Sequence, residues 1–273
     1  MPSNAIITLT TDFGLIDSYV AAMKGVILGI APHAQLIDTT HSIRPQAIHQ
    51  AAYMVQTFYS YFPPGTIHLV VVDPGVGSAR RPIVLATPNA MFVAPDNGVL
   101  TYVWRDALAR WGEESCTVVE LTDPGYWLTS ISSTFHGRDI FAPVAAHLAN
   151  GIKSELLGKK HAAITEAALE QPTIGRQGEL IGRIIHVDYF GNCVTNIDQA
   201  YLHGLGEADQ LRIKVLDQSI YGLHSTYADQ ANGSLIALIG SSGRLEIAVT
   251  NGGAAQVLGV GIGDSVKVLR AIS

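Results

Sequence analysis

Three short runs rich in β-branched residues, each stopping at an aspartate, constrain this chain more than any other feature. Residues 5–11 (AIITLTT) stop at Asp12, residues 35–38 (QLID) end in Asp38, and residues 66–72 (TIHLVVV) stop at Asp73. Between them, apolar residues recur at helical spacing over Tyr19–Ile30, closed by Pro32, and over residues 46–61, stopped by Pro63-Pro64-Gly65. This order implies a mainly parallel sheet with helices on its faces. Right-handed crossovers would carry all three acids to one sheet edge, where a polar cleft is expected. The third run continues as Asp73-Pro74-Gly75-Val76-Gly77-Ser78-Ala79-Arg80. Its glycines let backbone approach a ligand closely, and Arg80 is placed to pair with the acid.

Further along, residues 83–86, 91–94 and Thr117–Leu121 read as strands, with Asp96-Asn97-Gly98 and a helix to Arg110 between the last two. Residues 132–139 open a helix that runs to about Asn150. The pattern loosens over 151–178, and the domain boundary is placed there, giving an α/β domain over 1–170 and an all-β domain over 178–273. In the second, residues 179–187, 211–216, Leu235–Ile239, Arg244–Val249 and 265–271 read as short strands punctuated by Gly and Asn, a pattern that suggests a small barrel.

With 15% charged residues and a formal net charge of −6, the chain offers no basic footprint, so a nucleic-acid partner is not expected. No apolar run approaches membrane-spanning length, and no signal segment is read at the N-terminus. Cys116 and Cys193 form neither a metal spacing nor a disulfide framework, which fits a cytoplasmic location. His33, His41, His49 and His68 make no metal-ligand pattern, so no metal site is expected.

Four stretches then stand out together: Thr11-Asp12-Phe13-Gly14, Asp73-Pro74-Gly75-Val76-Gly77, Phe135-His136-Gly137-Arg138-Asp139 and Phe190-Gly191-Asn192. In this order they resemble motifs of the S-adenosyl-L-methionine hydroxide adenosyltransferases. That family is related to the fluorinase and chlorinase that displace methionine from S-adenosyl-L-methionine (SAM) with halide. The resemblance covers nearly the whole chain. It implies a cofactor-free enzyme that hydrolyses SAM to adenosine and methionine. It also implies a homotrimer with SAM bound between the N-terminal domain of one subunit and the C-terminal domain of its neighbour.

The halogenases carry a tyrosine where Asp73 stands and a serine where Gly137 stands. A carboxylate beside a halide would repel it by about 1 to 4 kcal/mol, whereas water needs an acceptor to orient it and take its proton. Asp73, Arg80 and His136 match the acid, arginine and histidine that the hydrolytic family places around the attacking water. Either Asp73 or His136 could be the base. The resemblance further implies that Asp12 holds the ribose hydroxyls, Asp17 the methionine ammonium, Thr134 and Phe135 the ribose pocket, and Asn192 the adenine edge. Ser242 stands where the halogenases have an arginine for the methionine carboxylate, and Arg244 is a possible replacement. A halide adenosyltransferase and a non-catalytic SAM or adenosine sensor are the competing readings.

Overall fold

The computed structural model describes residues 5–270. The chain divides between Ala168 and Leu169 into two compact units.

The first unit holds strands β1 (Ile6–Thr11), β2 (Gln35–Thr40), β3 (Thr66–Val71), β4 (Pro82–Ala86), β5 (Ala90–Pro95), β6 (Thr117–Leu121) and β7 (Gly158–His161). Its helices are α1 (Tyr19–Ile30), α2 (Ile48–Phe58), α3 (Thr101–Trp111) and α4 (Ala142–Ala149). The strands form one sheet in the order β2-β1-β3-β5-β4-β6-β7. Alternate residues of the central strands feed two separate cores. Leu69 and Val71 join Met23, Ile27 and Val144 on the α1/α4 side. Val70 and Val72 join Ala51, Val55 and Val103 on the α2/α3 side. Covering both faces is why residues 66–72 read as an unbroken apolar run instead of an alternating one.

The sheet is mixed. β1 pairs in parallel with β2 and β3, and β3 in parallel with β5. β4 runs antiparallel to both β5 and β6, and β7 antiparallel to β6. The short turn between β4 and β5 makes them a hairpin, and that reverses β4. Most strands still point the same way.

The expected row of three acids is only partly realised. Thr11 lies opposite Val71, so Asp12 and Asp73 leave the sheet at the same edge. Asp38 instead pairs with Leu9 inside the ladder, because β2 continues to Thr40. It is tied to Lys24 at 2.5 Å and to His41 at 3.0 Å. The expected helix start at 132 also differs: residues 132–135 are not helical, the helical backbone begins at His136, a π-helical turn spans Gly137–Phe141, and α4 follows.

The second unit holds β8 (Thr173–Ile174), β9 (Leu180–Val187), β10 (Cys193–Asp198), β11 (Leu211–Val215), β12 (Gln218–Tyr221), β13 (Leu235–Ile239), β14 (Arg244–Val249) and β15 (Ser265–Arg270). Short helices α5 (Gln199–His203) and α6 (Ala254–Leu258) interrupt them. The order is β12-β11-β15-β9-β10-β14-β13, with β8 beside β9 and antiparallel pairing throughout. A bridge from His224, just past β12, to Leu238 of β13 nearly closes the sheet around Ile184, Ile213, Leu245, Ile247 and Val268. The barrel-like expectation holds in this form. Ala271, the expected end of the last strand, lies outside the described residues. Among the described residues no helix is long and apolar enough to cross a membrane.

Candidate active site

β3 delivers Asp73 at its carboxyl end, and the turn that follows sends the chain back toward it. Val76 N–H donates to the Asp73 carbonyl at 3.2 Å, and Ser78 N–H to that of Gly75 at 3.0 Å. Gly77 adopts φ +75°, and a Cβ there would stand 2.5 Å from the Ser133 carbonyl oxygen. Only glycine allows this turn to lie against residues 132–134.

The turn returns Arg80 onto Asp73. Arg80 Nε donates to both carboxylate oxygens at 3.0 and 2.9 Å, and Nη2 donates to Oδ2 at 2.5 Å. The two side chains are only 9% and 5% exposed. Arg80 Nη2 also donates to His136 Nδ1 at 2.8 Å, and its guanidinium lies 5.1 Å from the centroid of the Phe141 ring. Burial and the Arg80 charge push the His136 pKa below its ordinary value, against the opposing pull of Asp73 and Asp139. A neutral His136 that accepts at Nδ1 carries its proton on Nε2.

Asp73 and His136 border a cleft of about 350 Å³ that Phe13, Tyr19, Thr134, Phe135 and Gly137 also line. Phe13, Tyr19 and Phe135 form an aromatic wall, with ring centroids 5.2 to 5.9 Å apart. Asp139 is fully buried and holds the loop behind the cleft. It accepts from the Ser132 N–H at 2.8 Å and from Arg138 Nε at 2.5 Å.

Asp12 lies at the same sheet edge, and Gln46 N–H donates to its Oδ2 at 2.7 Å. Asp17 is exposed, one residue before the α1 cap Ser18, and does not line the cleft.

A second cleft, of about 670 Å³, lies in the second unit and is lined by Asp188, Phe190, Asn192, Tyr227, Asn251 and Gly253 among others. Asp188 organises it. Its Oδ1 accepts from the N–H groups of Phe190 and Asn192 at 2.9 and 2.8 Å, and its Oδ2 from Asn192 Nδ2 at 3.0 Å. Tyr227 donates its hydroxyl to Glu246 at 2.5 Å, and burial raises the Glu246 pKa. Ser242 sits on the β13–β14 turn and does not line this cleft. The first unit thus gathers Asp73, Arg80, His136, Thr134 and Phe135, while Asn192 belongs to the second. Sequence reasoning missed Asp188 and Tyr227. For Asp188 a signal existed, an acid three residues before a glycine in a turn. Among the described residues no group of His, Cys, Asp or Glu side chains is arranged to hold a metal ion.

The sequence model of the SAM hydroxide adenosyltransferase N-terminal domain matches residues 7–158, and that of the C-terminal domain matches residues 182–267. The chain belongs to the SAM hydroxide adenosyltransferase family. An (R)-S-adenosyl-L-methionine hydrolase from Salinispora tropica is 38% identical, covering 96% of this chain and 97% of the relative. A fluorinase from Nocardia brasiliensis is 27% identical, with 96% of each chain covered. The crystal structure of an uncharacterized conserved protein from Thermotoga maritima superposes with a TM-score of 0.87 at 37% identity, covering 97% of this chain and all of that one. The stretches that carry the resemblance therefore sit in matched domains, and the first three border or adjoin the Asp73 cleft.

Proposed function

We propose that this protein hydrolyses SAM to adenosine and L-methionine by attack of water on the ribose C5′ carbon. The observation that carries this reading is near-full-length identity to a SAM hydrolase, higher than the identity to a fluorinase, in a chain with a carboxylate at position 73.

The chemistry follows from the substrate. A water oxygen forms a bond to C5′ as the C5′–S bond breaks. The sulfonium takes the bonding electron pair and leaves as the neutral thioether of methionine, so the leaving group needs no proton, and no electron is transferred. No cofactor is required by this balance. What the site must supply is alignment of the water opposite sulfur and an acceptor for its proton.

Asp73 and His136 are the two candidates, and the hydrogen bonding favours Asp73. His136 Nδ1 already accepts from Arg80, so the neutral ring offers only an Nε2–H donor to the cleft. In this reading His136 orients the water through that donor, Asp73 accepts the proton, and Arg80 holds both side chains in place. Thr134 and Phe135 line the ribose side. Asp12 takes the ribose diol with the carboxylate that Gln46 N–H orients. Asn192, one amide hydrogen of which is held by Asp188, reads the adenine edge with its remaining groups. Asp17 receives the methionine ammonium, and Ser242 contributes a hydroxyl to the carboxylate in place of an arginine fork.

Since these roles fall on two clefts, the active assembly is read as a homotrimer in which each site draws its two halves from neighbouring subunits. Leu15 and Ile16 beside the first cleft are 74% and 100% exposed, and Tyr189 and Phe190 beside the second are 100% and 76% exposed, which supports burial against a second copy. A cytoplasmic location fits the two unpaired, buried cysteines.

The test is incubation with SAM in H₂¹⁸O with chloride present. Adenosine carrying one ¹⁸O on its 5′ oxygen, with unlabelled methionine, is the expected result. A 5′-halogenated nucleoside, or unchanged SAM, would refute the reading.

A further inference from the structure

Two arginines stand side by side at the entrance to β4, and they reach into different clusters. Arg80 goes to Asp73 and His136. Arg81 goes to Asp96, whose side chain is 1% exposed, and through Nη1 to His161 Nδ1 at 2.6 Å. His161 Nε2 in turn lies 2.7 Å from Glu120 Oε2. Asp96 also accepts from the Thr165 N–H at 2.6 Å and hydroxyl at 3.0 Å, and its own N–H donates to the Arg81 carbonyl at 2.8 Å. This second acid–arginine–histidine set lines neither cleft described above, yet it fixes the backbone from which Arg80 projects. The adjoining residue works on the other half of the pair. Asn97 Nδ2 donates to the carbonyl of Val72 at 2.9 Å, and Val72 is the residue that immediately precedes Asp73. Asn97 Oδ1 accepts from Val99 N–H at 3.2 Å, which fixes the amide's orientation.

We infer that Asp96 and Asn97 are positioning residues that set the Asp73–Arg80–His136 geometry from behind, Asn97 through the Val72 carbonyl and Asp96 through Arg81. The inference rests on the hydrolase reading for its readout. Attack on C5′ needs water held in line with the breaking bond, and a displacement of about 1 Å at such a site costs on the order of 100-fold in rate. Neither residue touches the cleft, so both act on turnover and leave the substrate contacts alone.

Asn97→Asp tests this with little change of shape. It keeps an acceptor for Val99 N–H and removes the donor to Val72. Steady-state adenosine formation from SAM is measured across pH 5 to 9, alongside thermal unfolding. The expected result is a fall in kcat of about tenfold or more, a KM for SAM within about threefold of wild type, and a displaced acid limb in the kcat profile, because Asp73 and Arg80 shift relative to His136. Unfolding is followed at each assay pH, so that kcat is corrected for the folded fraction before the limbs are compared. Unchanged kcat, an effect confined to KM, or a lower kcat with an unmoved profile would overturn the inference. Arg81→Lys leaves Asn97 intact and carries the same expectation if Asn97→Asp does not fold. Failure of both to fold would make the pair purely structural and overturn it as well. Wild-type enzyme that forms no adenosine would instead refute the hydrolase reading itself.

Discussion

Replacing Asp73 with Asn probes the point on which the proposed chemistry depends. The change preserves shape but turns one carboxylate oxygen into an NH₂ group facing a guanidinium. Arg80 now spends three contacts on that carboxylate, at 2.5 to 3.0 Å, with both side chains nearly buried. Removing one partner of a buried pair outright costs about 3–5 kcal/mol. The amide keeps one acceptor oxygen, so the expected loss of stability is about 1–3 kcal/mol, small enough against the stability of a typical domain for the variant to fold. The catalytic effect is separate. Loss of a proton acceptor at the water position should lower kcat by about 100-fold or more, equivalent to about 2.7 kcal/mol on the barrier. The proposed SAM contacts of Asp12 and Asn192 are not altered by the change, so the KM for SAM should stay within about threefold. The assay is chromatographic measurement of adenosine at saturating SAM, with a urea titration to separate rate from folding. His136→Ala serves as the comparison, since it removes the donor to water and leaves Asp73 paired with Arg80. Near-normal turnover in Asp73→Asn, together with loss in His136→Ala, would make His136 the base and refute the assignment made from its Nδ1 contact.

Two further outcomes follow from the packing. His68 is fully buried, held by Thr8 Oγ1 at 2.8 Å and stacked on Phe92, and burial lowers its pKa to about 4. With a folded pKa below the unfolded 6.5, the unfolded chain takes up the proton first. Stability should therefore fall by about 3 kcal/mol as pH drops from about 6.5 to about 4. The difference between wild type and His68→Phe in urea melts should show this slope, and parallel curves would refute it. Gly77→Ala forces a Cβ to within 2.5 Å of the Ser133 carbonyl at φ +75°, whereas Gly137→Ala meets nothing nearer than 3.4 Å. The first should cost about 1–3 kcal/mol and the second less than about 1 kcal/mol in the same melts, and equal losses would refute the reading of the Gly77 turn.

Much of the fold was legible in the sequence because it is written in local periodicity. The limits of α1 and of β6, β13 and β14 are visible as helical spacing or apolar runs between breakers. β10 and β12 were not, because CVTNID and QSIY lack the apolar alternation of a strand and owe their state to neighbours across the ladder. Asp38 looked like a strand-end acid because nothing local marks Thr39 and Thr40 as two more ladder residues, and pairing with β1 decided that.

The site divides in the same way. The strand, the Asp73 turn with its glycines, Arg80 seven residues later and the motif around His136 are short-range patterns, so the chain itself determined which chemical groups the cleft would offer. Only the tertiary structure decided how they meet. The Arg80–His136 contact spans 56 residues, and the Arg81–His161 contact spans 80. Which histidine nitrogen faces an arginine, and which of two adjacent arginines reaches Asp73, depend on sheet order and on opposite-facing side chains along one strand entrance. Those are set by long-range pairing, which leaves no periodic trace in the residues themselves.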